Sequence, residues 1–171
     1  MDTKTQDALV ILKLYEIRSE PLMRTARAWF FSEFTPRSGK GIVALLQSGE
    51  KQSAYYRMVS SHWEIAAALV NNGGIDENMF LEANTEHLVV FAKLQPFVAE
   101  IRETIGEPDY LANLEQLVLR APNVEKKLEN RRRLLERWAH EKQTEDNKQE
   151  TANSKQPEPS ANQSSAPSSL H

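Results

Sequence analysis

Residues 65–70 read Ile-Ala-Ala-Ala-Leu-Val and are followed at once by Asn71-Asn72-Gly73-Gly74. No other stretch restricts the fold so strongly. A run that is apolar on every side predicts a helix buried nearly all round. The asparagines and glycines after it tolerate the left-handed backbone at which helices stop. Upstream, Tyr55, Val59, His62, Ala66 and Leu69 recur at spacings of three and four, which puts them on one helical face. Arg57, Ser60, Ser61, Glu64 and Asn71 fall on another. The alanines permit close approach by a neighbour and favour the helix. Beyond the stop, Ile75 is placed to fold back on the last turn and Asp76 to cap the next helix. Segment 55–76 therefore predicts a tight turn between antiparallel helices at the centre of a bundle.

Helical periodicity continues on both sides. Residues 6–18 predict a first core helix with Leu9, Ile11, Leu12, Leu14 and Tyr15 as its broad apolar face. Its apolar run, broken by Lys13, is too short to span a bilayer and lacks a cleavage site. Ser19 is expected to cap a second helix that opens on Pro21 and buries Met23, Ala26, Phe30 and Phe34. Arg18, Arg24 and Arg27 read as a solvated face. Ser38 is expected to cap a short helix through Ile42, Leu45 and Leu46. Gly39-Lys40-Gly41 is not a phosphate loop, because Phe34 and Gly41 stand where that motif requires glycine and a hydroxyl.

From Asp76, a pattern through Phe80, Ala83, His87, Phe91, Leu94, Val98, Ile101 and Ile105 keeps its phase across Pro96. It predicts one kinked helix or two nearly stacked ones. Gly106-Glu107-Pro108 stops it. Asp109 is then expected to cap a helix carrying Tyr110, Leu114, Leu117 and Val118, and a last helix runs from about Val124 to Glu141.

No segment alternates convincingly, so the fold class is all-α, a bundle of about six to seven helices with a disordered C-terminal tail. The organisation expected is a bundle domain over residues 1–122, a charged amphipathic helix over 123–142 and a polar tail over 143–171. The tail has Leu170 as its only large apolar residue and cannot bury enough surface to order itself. Cysteine is absent, which excludes disulfides and thiolate metal sites. A net charge of −3 gives no general attraction to nucleic acid or anionic membrane. A soluble, cytoplasmic chain without a membrane span is the expectation.

Three segments, LYEIRSEPLMRTARAWFFSEF, YYRMVSSHWEIAAALVNNGGID and EHLVVFAKLQPFVAEIR, together resemble a group of short, helical, uncharacterised bacterial proteins assigned to a domain of unknown function. The resemblance covers roughly residues 8–122. It implies a helical fold and a bacterial setting, and it brings no activity, ligand or site residues.

The sharpest chemical constellation comes from the central turn. A turn at Gly74-Ile75 would bring His62 and His87 to one level, with Glu64 and Glu86 within a turn of it. Two imidazoles and a carboxylate are a possible zinc or iron ligand set, so His62, His87 and Glu64 form the candidate metal site. The Glu-x-x-His signature of di-iron bundles is absent. The competing reading makes both histidines hydrogen-bonded core residues. Arg57, Ser61 and Glu64 are read as a polar network or as a small-molecule pocket between helices. No catalytic motif and no cofactor motif is found.

The last helix, VEKKLENRRRLLERWAHEK, carries seven Lys/Arg against four Glu. Val124, Leu128, Leu135 and Trp138 keep heptad spacing, with Arg131 interrupting the seam. Three readings compete: packing on its own bundle, contact with a protein partner or second copy, and nucleic-acid binding through Arg131, Arg132 and Arg133. The interleaved glutamates argue against the last. Leu128, Leu135 and Trp138 are the candidate partner-binding residues, tryptophan being enriched at interface hot spots. The function expected is a non-enzymatic protein–protein interaction or scaffold module. The alternative is a metal- or small-ligand-binding bundle using the His62/His87 level.

Overall fold

The computed structural model describes residues 3–153. They form α1 (Thr3–Ser19), α2 (Pro21–Ser32), α3 (Gly39–Gln47), α4 (Lys51–Asn71), α5 (Glu77–Ala83), α6 (Glu86–Ile105), α7 (Ala112–Leu119) and α8 (Val124–Asn153). Among the described residues there is no strand, and no helix is long and apolar enough to cross a membrane. The fold is all-α.

The centre is α4. It packs mainly between α2 and α7, and it also touches α3, α5 and α6. Trp63, Ala66, Ala67 and Val70 make the buried stripe at i, i+3, i+4 and i+7. Ile65 lies off that stripe and is 58 % exposed, so the apolar run is not buried all round. The stop forms as its residues dictate. Gly73 takes φ +72°, its N–H reaches Val70 O at 3.0 Å, and Gly74 N–H reaches Leu69 O at 2.7 Å. That pair of bonds satisfies carbonyls the helix end would leave open. Ile75 is buried against the turn, and Asp76 caps α5 by accepting Met79 N–H at 2.8 Å.

Beyond the turn the chain does not continue as one helix. It breaks at Asn84, which is extended (φ −136°, ψ 132°) and turns its side-chain amide back to Phe80 O at 3.1 Å. Restarting at Glu86, α6 then runs unbroken through Pro96 to Gly106, whose φ of +72° ends it. Apolar spacing cannot reveal such a break, because Phe80 and His87 are both buried and keep phase across it.

The first helix also departs from its expected role. Only Asp7 and Leu14 of α1 are buried, whereas Leu9, Leu12 and Tyr15 are at least half exposed. Asp7 tethers α1 by accepting Asp76 N–H at 3.2 Å. Ser19 does not cap α2. Its hydroxyl donates to Tyr15 O, and Glu20 occupies the cap position without a side-chain bond. Ser38 caps α3 as its spacing predicts, accepting Gly41 N–H at 3.0 Å. Met23, Ala26, Phe30 and Phe34 form the buried face of the α2 segment.

Two contacts fix the outer helices. Gly39 opens α3 directly against α6, and its N–H donates to the Glu100 carboxylate. A Cβ on Gly39 would sit 2.7 Å from the Glu100 Cβ, so only glycine fits. The last helix, α8, packs on α6 and α2, and Leu128 is fully buried there. It also continues through Asn153, past the residue 143 where the disordered tail was expected to begin. Glu, Gln and Lys in that stretch favour the helix, and the first proline is Pro157. Residues 154–171, the rest of the expected tail, lie outside the described residues.

Candidate ligand-binding site

The residues proposed as a metal set do not converge. His62 and His87 flank the Trp63 ring, with ring centroids 4.9 Å and 5.9 Å from it. Both are buried, and His62 Nε2 and both His87 ring nitrogens have no hydrogen-bond partner among the described residues. The core-histidine reading predicted partners for them. Burial, first of all, pushes each imidazole down to about 4 from the usual 6.5. For His62, Glu86 opposes that shift while Arg18 and Arg27 add to it; for His87, Arg131 adds to it. Among the described residues, no three of His, Cys, Asp and Glu are grouped so as to hold a metal ion.

The two carboxylates expected near the histidines have other work. Glu86 accepts Arg27 Nε at 2.9 Å and Trp63 Nε1 at 3.3 Å, and Arg18 stands 3.8 Å away. Arg18 and Arg27 are thus half-buried partners of Glu86 and not a solvated face. Glu64 points to the opposite side of α4. There it accepts Asn113 N–H at 3.0 Å, Asn113 Nδ2 at 2.9 Å and Leu114 N–H at 2.8 Å. These are donors at the start of α7, so a residue on another helix supplies the cap. Asp109, expected in that role, does not supply it: α7 starts at Ala112, preceded by Leu111 at φ +56°.

Beside Glu64 the helices leave a cavity of about 640 Å³ between α3, α4, the end of α6 and the loop before α7. Small-molecule pockets are typically about 300–1,000 Å³. Val43, Leu46, Ile105 and Leu111 supply apolar wall. Tyr56 and Tyr110 meet hydroxyl to hydroxyl at 2.6 Å on its lining. Burial is the main cause that holds both phenols above their ordinary value, so both stay protonated at neutral pH. Arg57 reaches the rim, where one guanidinium nitrogen donates to Leu46 O at 2.7 Å. The stripe of Arg57, Ser61 and Glu64 read from the sequence does line a pocket. Its tyrosine pair was not legible, because Tyr110 arrives from a loop 54 residues away.

Two of the three candidate partner-binding residues of α8 face inward. Leu128 is fully buried and Leu135 is 8 % exposed. Trp138, 37 % exposed, packs edge-on against Phe31 with centroids 6.2 Å apart. The basic triplet is divided: Arg132 bonds Ala92 O and the Gln95 side chain, Arg133 pairs with Glu129, and Arg131 lines a cavity together with His87.

The fold and this cavity define an all-helical bundle domain with an amphipathic pocket between its helices. A family model described as Domain of unknown function (DUF4760) matches residues 4–121, and the chain belongs to that family. The matched region ends just before α8. No curated protein and no solved structure matches the chain.

Proposed function

We propose that this chain is a binding protein whose cavity beside α4 takes a small amphipathic carboxylate. The single observation that carries this reading is the wall chemistry. One side is aliphatic, and the other presents two protonated phenols and a guanidinium with most of its donors unused. Glu64 and Asp109 also line the cavity, and the start of α7 already occupies both Glu64 oxygens. The partial positive charge there offsets the Glu64 charge. An aliphatic chain would then lie against Val43 and Leu46 while its carboxylate meets Arg57. Calorimetric titration with octanoate tests this. Binding that weakens about tenfold in Arg57→Met supports it, and unchanged binding in that variant refutes it.

A second reading keeps the interaction module but moves its surface. Leu128 and Leu135 are used inside the bundle, whereas Leu9, Leu12 and Tyr15 form an exposed apolar stripe along α1. Exposed stripes of this kind mark association surfaces. Self-association through α1 predicts a concentration-dependent mass in sedimentation that Leu12→Glu abolishes. A monomer at every concentration would remove this reading.

A further inference from the structure

A second cavity, of about 420 Å³, opens where the α5–α6 break meets α7 and α8. Its polar lining combines solvent-facing groups with one buried group, His87, that lacks a partner. The side chains of Thr85, His87, Lys127, Asn130 and Arg131 line it, and none of the five makes a hydrogen bond or ion pair among the described residues. His87 is 1 % exposed with both ring nitrogens unsatisfied. Buried polar atoms are rarely left so, because each gives up its hydrogen bonds to water without replacement. No Asp or Glu among the described residues lines the cavity, so its two cations face no neutralising charge there. The adjacent carboxylate, Glu86, is held by Arg27 and Trp63.

The backbone adds to the same polarity. The 20-residue helix α6 starts at this cavity, and Thr85 at its cap position forms no side-chain cap bond. The free N–H groups of a helix start, with its dipole, favour an anion. Leu81, Leu88 and Leu117 complete the lining with apolar wall. The volume exceeds what inorganic phosphate needs and leaves room for an organic body.

From this we infer that the cavity between the α6 start and α8 binds a small organic phosphate monoester. Lys127 and Arg131 hold the phosphoryl oxygens at the mouth, Thr85 and Asn130 donate to them, and His87 donates from within. The inference does not rest on the octanoate cavity, which lies between other helices. It also makes α8 part of a site that the family region alone would leave open.

Phenyl phosphate and inorganic phosphate are the probes, titrated into the full chain while imidazole and backbone 15N resonances are followed. The expected result is binding of phenyl phosphate tighter than inorganic phosphate, with shifts at the His87 ring and the Glu86 and His87 amides. Lys127→Gln and Arg131→Gln, both on the outer part of α8, should each weaken it about tenfold, which is about 1.4 kcal/mol. Arg133→Gln, close by on α8 and paired with Glu129, should leave it unchanged. Absence of shifts at the His87 ring overturns the inference. So does equal weakening by all three variants, which would mean diffuse attraction to a basic helix.

Discussion

Glu64 on α4 accepts the backbone N–H of Leu114, at the start of α7, across 2.8 Å. With the bonds from Asn113 it makes one carboxylate the cap of a helix that its own sequence leaves uncapped. The contact joins the central helix to the wall of the larger cavity. Glu64→Ala should destabilise the protein by about 2 kcal/mol, and Glu64→Gln by less, because the amide keeps one acceptor. Urea unfolding measures both. Equal losses for the two would show that a single remaining acceptor contributes nothing, and no loss for either would contradict the cap.

Gly39 packs against Glu100 without room for a methyl group. Gly39→Ala should cost about 1–3 kcal/mol, the usual result of overpacking. Its φ is not positive, so backbone strain plays no part, and the loss reports the α3–α6 contact less the small gain in helix propensity that alanine brings. A thermal midpoint equal to that of the parent protein would contradict the close approach.

The two buried histidines make stability depend on pH in a definite direction. Each titrates near 4 when folded and near 6.5 when unfolded. Below pH 6.5 the unfolded chain takes up protons that the folded chain refuses, so stability falls as pH drops towards 4. The share of each histidine approaches about 3 kcal/mol. His87→Leu should flatten the curve over that window relative to the parent protein. Parallel curves for the two, from urea midpoints at stepped pH, would show that His87 is protonated when folded.

Ile65 separates what the sequence shows from what it hides. The Schellman turn at Gly73-Gly74, the Asp76 and Ser38 caps and the buried face through Met23, Ala26 and Phe30 were all legible. Each depends on residues within one or two turns of one another. Ile65 reads as core because its neighbours are apolar, yet it points to solvent because α4 has partners on only part of its circumference. Ile65→Lys should therefore change stability by no more than about 0.5 kcal/mol, whereas Ala67→Lys should be severely destabilising. A large loss for Ile65→Lys would mean that another surface covers it.

The candidate site was legible only in part, for the same reason. Arg57, Ser61 and Glu64 share a stripe that spacing reveals. Tyr110, the cap on α7 and the separation of Glu64 from His62 depend on how distant segments pack. The turn at Gly74 suggested one level for both histidines. Both rings do lie against Trp63, but Arg27 and the start of α7 decide which groups Glu86 and Glu64 meet.

The most direct test of the binding account is a 1H–15N map of the full chain titrated with octanoate. The account predicts saturable shifts confined to Val43, Leu46, Tyr56, Arg57, Tyr110 and Leu111, abolished by Ser61→Trp at the rim of the cavity. Shifts scattered over the exposed face of α1, or shifts that survive Ser61→Trp, would contradict it.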